Sequence, residues 1–310
     1  KIRVGLVFGG KSGEHEVSIR SAASIFRALD KNKYEVTLMG INKLGGWNVV
    51  KENWLPQGTE MKQLTDGKRE IEVRDNNVDV FFPIVHGTYG EDGCLQGMFE
   101  IMNKAYVGAG VLGSAVGMDK DVMKRLLRDA KIPAAGFQII RKNEKYIVDK
   151  YPVFVKPVNM GSSVGISKVN NKEQLDTAIK LAFKYDTKVI IEEAVVGREI
   201  EVSVLGNDDP MASVPGEIKT TYDFYDYDAK YIDAKGSETE IPAKLPPSKT
   251  KEIQELAIKI YKVLECSGMA RVDMFLTPTG KIIINEINTL PGFTNISMYP
   301  KLWEASGISY

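Results

Sequence analysis

Residues 268–292 constrain this chain more than any other stretch. They read Gly268-Met-Ala-Arg-Val-Asp-Met-Phe-Leu, then Thr-Pro-Thr-Gly, then Lys281-Ile-Ile-Ile-Asn-Glu-Ile-Asn-Thr-Leu-Pro-Gly. Two apolar runs on either side of a turn-rich tetrad predict a β-hairpin. Side chains alternate along a strand, so Arg271 and Asp273 share one face of the first strand, while Glu286 and Asn288 share one face near the end of the second. One basic group and three oxygen donors are expected to converge. Carboxylate and amide oxygens are hard donors suited to Mg²⁺, which takes one or two protein carboxylates and completes its shell with water and phosphate oxygens. The implied partner is a nucleoside triphosphate. A hairpin with a merely polar solvent face could carry the same residues, but the apolar residues around them argue against it.

Composition removes several classes of function. At 310 residues, 43% hydrophobic and 26% charged, the chain is an ordinary globular sequence with core enough for two or three domains. Its 41 basic residues balance 41 acidic ones, so no global field favours nucleic acid or an anionic membrane, and any phosphate must be bound locally. Cys94 and Cys266 stand in unrelated contexts, which argues against a disulfide framework or cysteine-rich zinc site and fits the reducing cytoplasm. The longest apolar runs are strand-sized, and acidic residues and glycines interrupt residues 1–30, so neither a membrane span nor an export signal is expected. The chain opens on Lys1 without Met and stops at Tyr310 soon after a helical stretch, and trimming at both ends is expected.

Ile2 to Phe8 is a buried-type strand, and Val17, Ala22, Ile25, Phe26 and Leu29 recur at helical spacing over Glu16 to Leu29. Further strands are predicted at Tyr34 to Ile41, at Val78 to Val85 and around Tyr106, with a helix at Gly93 to Met102. Residues 1–120 therefore read as an open α/β domain with a largely parallel sheet. Residues 51–77 are polar and peripheral. Met118 to Ala130 reads as helix. From Phe137 to Leu205 short strands surround one amphipathic helix, Lys172 to Tyr185, giving a compact α+β unit. The tract 220–235, rich in Tyr, Asp and Lys, has neither period and reads as a long loop of the kind that forms lids. Ser248 is the predicted N-cap of a helix reaching Glu265, its buried face marked by Ile253, Leu256, Ala257, Ile260, Val263 and Leu264.

Gly5-Leu-Val-Phe-Gly-Gly10-Lys11-Ser12 satisfies the bare P-loop expression, but a P-loop places its first glycine after a strand and Gly5 lies inside one. The glycine spacing also departs from G-x-G-x-x-G, and the second strand ends Met39-Gly-Ile-Asn without an acidic residue to hold a ribose, so a dehydrogenase is disfavoured. What remains is a glycine-rich turn ending in Glu14, His15 and Glu16, at the sheet edge where open α/β proteins place ligands. Glu14 suits a substrate ammonium, although a carboxylate at a helix start also serves as a simple cap. The turn Val85-His86-Gly87-Thr-Tyr-Gly-Glu91-Asp92-Gly93 would open at the same edge, where His86 could meet a ligand carboxylate or make only local hydrogen bonds. Val153-Phe-Val-Lys156-Pro157 puts a lysine on a buried strand, which is costly unless it meets an anion, and Gly161-Ser162-Ser163-Val-Gly165 exposes backbone N–H groups that can cradle phosphates. Together they suggest a triphosphate clamp. In Val189-Ile-Ile-Glu192-Glu193-Ala-Val-Val-Gly-Arg-Glu199, Glu192 could accept from an adenine amino group and Glu199 from ribose hydroxyls, though exposed carboxylates on a loop are ordinary.

Taken in order, these segments resemble the ATP-grasp fold, and more narrowly the D-alanine:D-alanine ligase family. The resemblance rests on Phe8-Gly-Gly-Lys-Ser-Gly-Glu-His-Glu-Val-Ser18, His86-Gly-Thr-Tyr-Gly-Glu-Asp-Gly93, Met118-Asp-Lys120, Val155-Lys-Pro157, Gly161-Ser-Ser-Val-Gly165, Ala270-Arg-Val-Asp273 and Asn285-Glu-Ile-Asn-Thr-Leu-Pro-Gly292. It implies an N-terminal open α/β substrate domain over residues 1–120, then a two-lobed α+β ATP-grasp part: a central lobe, 121–196, and a C-terminal lobe, 197–310, with the metal site and the lid loop 220–235. The implied activity joins two D-alanines through a D-alanyl phosphate, with ATP cleaved to ADP and phosphate, and supplies D-alanyl-D-alanine for peptidoglycan.

The same resemblance implies roles for residues. Lys120, Lys156 and Ser163 would bind ATP phosphates; Glu192, Glu193, Val195 and Glu199 would hold the nucleoside; Asp273, Glu286 and Asn288 would bind two Mg²⁺ ions, with Mn²⁺ as a substitute and a monovalent cation as a further activator. Glu14 would pair with the first substrate's ammonium, with His86 near its carboxylate. Ser297 and the Gly292 N–H would take the second substrate's carboxylate, and Arg271 would be the main electrophilic group. Lys230 would reach toward the γ-phosphate, while Tyr231 would bond with Ser162 and Glu14 to latch the lid. Tyr231, with no histidine in the lid, implies an amine rather than a hydroxyl nucleophile. A cytoplasmic homodimer is implied as well. Such ligases usually continue through another helical segment past the point where this chain ends, which leaves its C-terminal packing open. The rivals are an ATP-grasp ligase with a different acyl acceptor and a nucleotide-binding regulatory module without turnover; an intact Arg271 and a complete metal set argue against the second.

Overall fold

The computed structural model of the chain describes residues 1–58, 60, 62–64, 77–161, 164–220 and 237–310. Its first strand, β1 (Ile2–Gly9), is apolar on both faces because both are covered. It lies at the centre of a five-stranded sheet ordered β3-β2-β1-β4-β5, completed by β2 (Tyr34–Ile41), β3 (Trp47–Val50), β4 (Val80–Pro83) and β5 (Ala105–Tyr106). β1 runs parallel to β2 and β4, and β4 to β5; β3 is antiparallel to β2. Helix α1 (His15–Ala28) packs Ile19, Ala22, Ile25 and Phe26 against Leu6 and Phe8. Helix α2 (Cys94–Ile101) packs Leu95 and Phe99 against Val7, Phe81 and Val85 on the other face. The predicted third strand is shorter than Val78 to Val85, and β3 carries no sequence signal, since four residues with one Asn show too little alternation. Gly5 lies inside β1, which removes the P-loop match. At the end of that strand Gly9 has φ +89°, and a side chain there would collide with Ile41 O, so the turn into α1 demands glycine.

The predicted helix over Met118 to Ala130 is α4 (Lys120–Asp129), preceded by a separate α3 (Val111–Met118). Asp119 divides them and caps α4, its Oδ1 accepting from the N–H groups of Asp121 and Val122. Gly113, Ser114 and Gly117 dilute the apolar face of α3, which is why its periodicity is faint. Next come β6 (Phe137–Arg141), β7 (Val153–Pro157), β8 (Ser167–Val169), α5 (Lys172–Ala182) and β9 (Lys188–Glu193), forming an antiparallel sheet ordered β6-β9-β7-β8. Ile140, Val153, Val155, Val189 and Ile191 meet Leu175, Ala178, Ile179 and Ala182 of α5. Alternation then leaves Phe137, Phe154, Lys156, Ile190 and Glu192 on the opposite face.

The third sheet, ordered β13-β12-β10-β14-β15, comprises β10 (Arg198–Leu205), β12 (Gly216–Thr220), β13 (Ser237–Glu240), β14 (Met269–Leu276) and β15 (Ile282–Asn288), with β11 (Met211–Ala212) paired to β10. One face meets α6 (Pro247–Val263): Ile200, Val202, Val272, Met274, Ile284 and Ile287 pack on Ile253, Ala257, Ile260 and Tyr261. Met123 and Leu127 of α4 join the same core, although α4 precedes the central sheet in the chain. Helix α6 starts one residue before Ser248, because Pro247 takes the first helical position and Pro246 the cap. The last helix, α7 (Met298–Ala305), is anchored to β10, with Tyr299 Oη donating to Val204 O.

Candidate active site

The predicted hairpin forms, with Leu276 opposite Ile282 on either side of the turn 277–280. Continued without interruption, that register would set Asn285 opposite Asp273 and send Glu286 and Asn288 to the core face. A bulge between Asp273 and Met274 shifts the pairing by one residue, so that Asp273 faces Glu286 and Arg271 faces Asn288. Alternation along each strand groups the residues in pairs; the bulge puts both pairs on one face. There Arg271 Nε and Nη2 donate to the two oxygens of Asp273, both at 2.7 Å, and Asn288 Nδ2 donates to Asp273 Oδ2 at 2.9 Å. Strand β10 adds Glu201 directly opposite Asp273, its Oε2 3.0 Å from Arg271 Nε. Burial works to lower the Arg271 pKa, but Asp273 and Glu201 outweigh it and hold the guanidinium charged well above the ordinary arginine value. Glu201 shows no signal in the sequence beyond strand alternation; only its partner strand reveals it.

Two carboxylates and one amide at adjacent cross-strand positions fit Mg²⁺. Asp273 Oδ1, which accepts from Arg271, keeps lone-pair capacity for an ion. Among the described residues no group of three His, Cys, Asp or Glu side chains is placed to hold a metal. An ion at Asp273, Glu286 and Asn288 would therefore take further oxygens from water and a ligand.

Lysines face this hairpin across a cleft. Lys120, at the start of α4, donates from Nζ to Met160 O at 2.8 Å, and the same atom lies 4.0 Å from Glu286 Oε2. Burial lowers its pKa, with Glu286 acting in the opposite direction. Lys156 Nζ lies 2.7 Å from Glu192 Oε2, while Lys124, one turn beyond Lys120, pairs with Glu192 Oε1. Burial would raise the Glu192 pKa, but Lys156 and Lys124 prevail and hold it down at about 2. The ammonium of Lys156 loses solvation on burial yet is stabilised by Glu192 and by the more distant Glu286 and Glu199, so its pKa is raised. The free face of the central sheet thus looks onto the free face of the third. Lys124 has no sequence signal of its own, being one lysine among several on an amphipathic helix. Of the remaining residues expected at a nucleoside, Glu193 is exposed, Val195 is half-buried in the link to β10, and Glu199 is half-buried on β10 opposite Phe275.

Because β1 and β4 are parallel, the turns that follow them open at one sheet edge. Glu14 is buried there; a Cβ on Gly87 would lie 3.0 Å from its Oε2 and one on Gly161 3.3 Å, so its carboxylate sits between the His86 turn and the loop after β7. His86 has both ring nitrogens engaged. Nδ1–H donates to Leu290 O at 3.0 Å, which leaves Nε2 to accept from the Ser21 hydroxyl at 3.1 Å. Burial lowers its pKa, against the pull of Glu14, so the ring is neutral at pH 7 and holds the loop after β15 to α1 rather than presenting a free N–H. Glu91 accepts from Gly87 N–H at 2.6 Å, and burial together with Glu14 raises its pKa. In the loop before α7, Ser297 Oγ accepts from Thr294 N–H at 3.0 Å and lies 2.8 Å from the Thr294 hydroxyl; a Cβ on Gly292 would come within 3.0 Å of it, so Gly292 and Ser297 adjoin. Ser162, Ser163, Lys230, Tyr231 and the lid tract after Thr220 lie outside the described residues.

Residues 3–109 match the family described as D-ala D-ala ligase N-terminus, and residues 114–310 match D-ala D-ala ligase C-terminus. Over an alignment 338 positions long, spanning 100% of this chain and 93% of the relative, the sequence is 51% identical to D-alanine--D-alanine ligase A of Escherichia coli strain K12. The solved D-alanine-D-alanine ligase from Coxiella burnetii aligns with TM-score 0.85 and 38% identity, over 100% of this chain and 90% of that one. The VanG D-Ala:D-Ser ligase from Enterococcus faecalis aligns with TM-score 0.84 and 37% identity, over 100% and 96%. The fold shared with these ligases is ATP-grasp. By sequence along its whole length and by fold, the chain belongs to the D-alanine:D-alanine ligase family.

Proposed function

We propose that the chain joins two D-alanines into D-alanyl-D-alanine with cleavage of ATP to ADP and phosphate. The observation that carries this reading is the bulge-dependent gathering of Arg271, Asp273, Glu286 and Asn288 on one face, with Lys120 Nζ 4.0 Å from Glu286. A substrate carboxylate and a triphosphate repel each other, and fixed cations are what allow them to meet. Glu14 takes the ammonium of the first D-alanine, and Arg271 faces its carboxylate as an oxygen of that carboxylate bonds to the γ-phosphorus and the bond to ADP breaks. The neutral amine of the second D-alanine then bonds to the acyl carbon, the bond from that carbon to the phosphate oxygen breaks, and phosphate leaves with the proton the amine gives up. Ser297 and the Gly292 N–H hold the second carboxylate, while His86 fixes the loop that carries them. Lys120, Lys156 and Ser163 hold phosphates, and Glu193, Val195 and Glu199 border the nucleoside. Glu192 contributes there through the lysines that engage it. Asp273, Glu286 and Asn288 would hold two Mg²⁺ ions, or Mn²⁺, which supply charge neutralisation at the phosphate oxygens; a monovalent cation is a further activator.

Three units, 1–120, 121–196 and 197–310, divide this work in the proposal, with 220–235 as a lid in which Lys230 meets the γ-phosphate and Tyr231 latches onto Ser162 and Glu14. A closed lid keeps water from the acyl phosphate. The chain acts as a cytoplasmic homodimer supplying peptidoglycan synthesis; no helix among the described residues is long and apolar enough to cross a membrane. Relatives about 50% identical over the whole chain, from Escherichia coli and Oceanobacillus iheyensis, are D-alanine--D-alanine ligases, which favours D-alanine as acceptor. Competition at neutral pH between D-alanine, D-serine and D-lactate, with products identified by mass spectrometry, tests it. D-alanyl-D-alanine should dominate; preferential D-serine or D-lactate incorporation would reassign the acceptor.

A further inference from the structure

We propose that Lys124 is a positioning residue of the nucleotide site, neutralising Glu192 from the closed side so that the charge of Lys156 stays available to the triphosphate. The inference rests on the reading of Lys156 as a phosphate ligand.

Lys124 sits on α4 between Met123 and Leu127 of the third sheet's core, and its side chain is 1% exposed, against 13% for Lys156 and 6% for Glu192. An ammonium so thoroughly removed from water needs a compensating charge. Glu192 supplies it from the central sheet, one oxygen to each lysine. In the strand register Glu192 lies between Phe137 and Phe154. Each lysine leans over a different ring, Lys124 Nζ 5.8 Å from the Phe137 centroid and Lys156 Nζ 5.5 Å from that of Phe154, so the two ammoniums flank the carboxylate under aromatic cover. Two lysines on one carboxylate leave one net positive charge in the cluster. Without Lys124, Lys156 and Glu192 would cancel, and an incoming triphosphate would meet a neutral pair. Lys124 is sealed off and Lys156 borders the cleft, so the surplus charge is presented on the Lys156 side. Lys120 completes the arrangement from one turn earlier on the same helix.

Affinity for MgATP should follow the net charge of this cluster, and calorimetric titration of the full chain reads it directly. K124M removes the surplus charge and should weaken MgATP binding roughly tenfold or more, with KM for D-alanine unchanged. K124M/E192Q restores one net positive charge, now on Lys156 alone, and should bind MgATP more tightly than K124M, within about threefold of the parent chain. A merely structural role for Lys124 predicts the opposite order, the double variant binding no better than the single one, and that result would overturn the assignment. So would a K124M variant that binds MgATP normally. If K124M fails to fold, as circular dichroism would show, the double variant, whose one remaining charge of the cluster is Lys156 at the border of the cleft, decides alone: a loss of tenfold or more in its affinity refutes the inference. K156M is measured alongside. Normal MgATP binding by K156M removes the phosphate reading of Lys156 and the inference with it, whereas weak binding by K156M beside normal binding by K124M removes the inference only.

Discussion

Arg271 answers two demands with one guanidinium: it faces the cleft, and it compensates Asp273 and Glu201 on neighbouring strand positions. R271A should therefore fail twice. Turnover should fall about 100- to 1000-fold, because the donor proposed for the transferring group is lost, while ATP affinity changes little. Stability should fall by about 3 kcal/mol, because two buried carboxylates are left facing one another. Steady-state kinetics and urea unfolding read the two effects separately, and near-normal turnover would strip Arg271 of its role. At this scale the sequence exposes residues whose own strand explains them. Arg271, Asp273, Glu286 and Asn288 are legible from alternation, and Lys156 from a charge on an apolar strand. Glu201, Lys124 and the pairing of His86 with Ser21 and Leu290 are not, since each acquires meaning only from a partner far away in the chain.

Among elements, the long periodic segments match their predicted spans closely, β2 and the strands of the hairpin best of all. Short or diluted ones, β3 and α3, do not show in the pattern. The bulge in the hairpin is invisible for a different reason: it is a property of strand pairing, not of either strand. Helix α3 bears directly on that geometry. A Cβ on Gly117 would lie 2.8 Å from Thr289 Cγ2 and 3.3 Å from Ile287 Cγ2, so the helix rests on the end of β15, beside Asn288. G117V should push that end away, lowering stability by about 1–3 kcal/mol and raising the Mg²⁺ concentration needed for ATP binding. G58A is a suitable control, since a Cβ there meets nothing within 4 Å. Thermal melts and Mg²⁺ titrations of the two variants test the contact; an unchanged Mg²⁺ requirement in G117V would show that α3 does not set the position of Asn288.

At the scale of the molecule, two sheets face one another across a cleft, and the parallel sheet adds Glu14 at its edge. Residue patterning foretells the parallel sheet, the central strands and the last hairpin but not how they meet: β10, read with the central unit through Leu205, pairs instead with β14 in the third sheet, because strand pairing is not written in either strand, and α4 leaves its neighbours in the chain to join the last core. The charges that α4 brings to β9 make this junction sensitive to acid. Glu192 has its pKa depressed from 4.5 to about 2, so its contribution to stability is complete above pH 4.5 and is lost as pH falls toward 2. E192Q should be less stable than the parent chain at pH 7, with the difference shrinking across that acid window; a constant difference in urea unfolding would contradict the linkage. The central claim remains that opposed charges in this cleft bring an amino-acid carboxylate and a triphosphate together. Phosphate release from MgATP, followed with and without D-alanine, tests it most directly: release should be negligible without D-alanine, saturate as D-alanine is added, and match dipeptide formed one for one. Tight ATP binding with no D-alanine-dependent release would contradict the account.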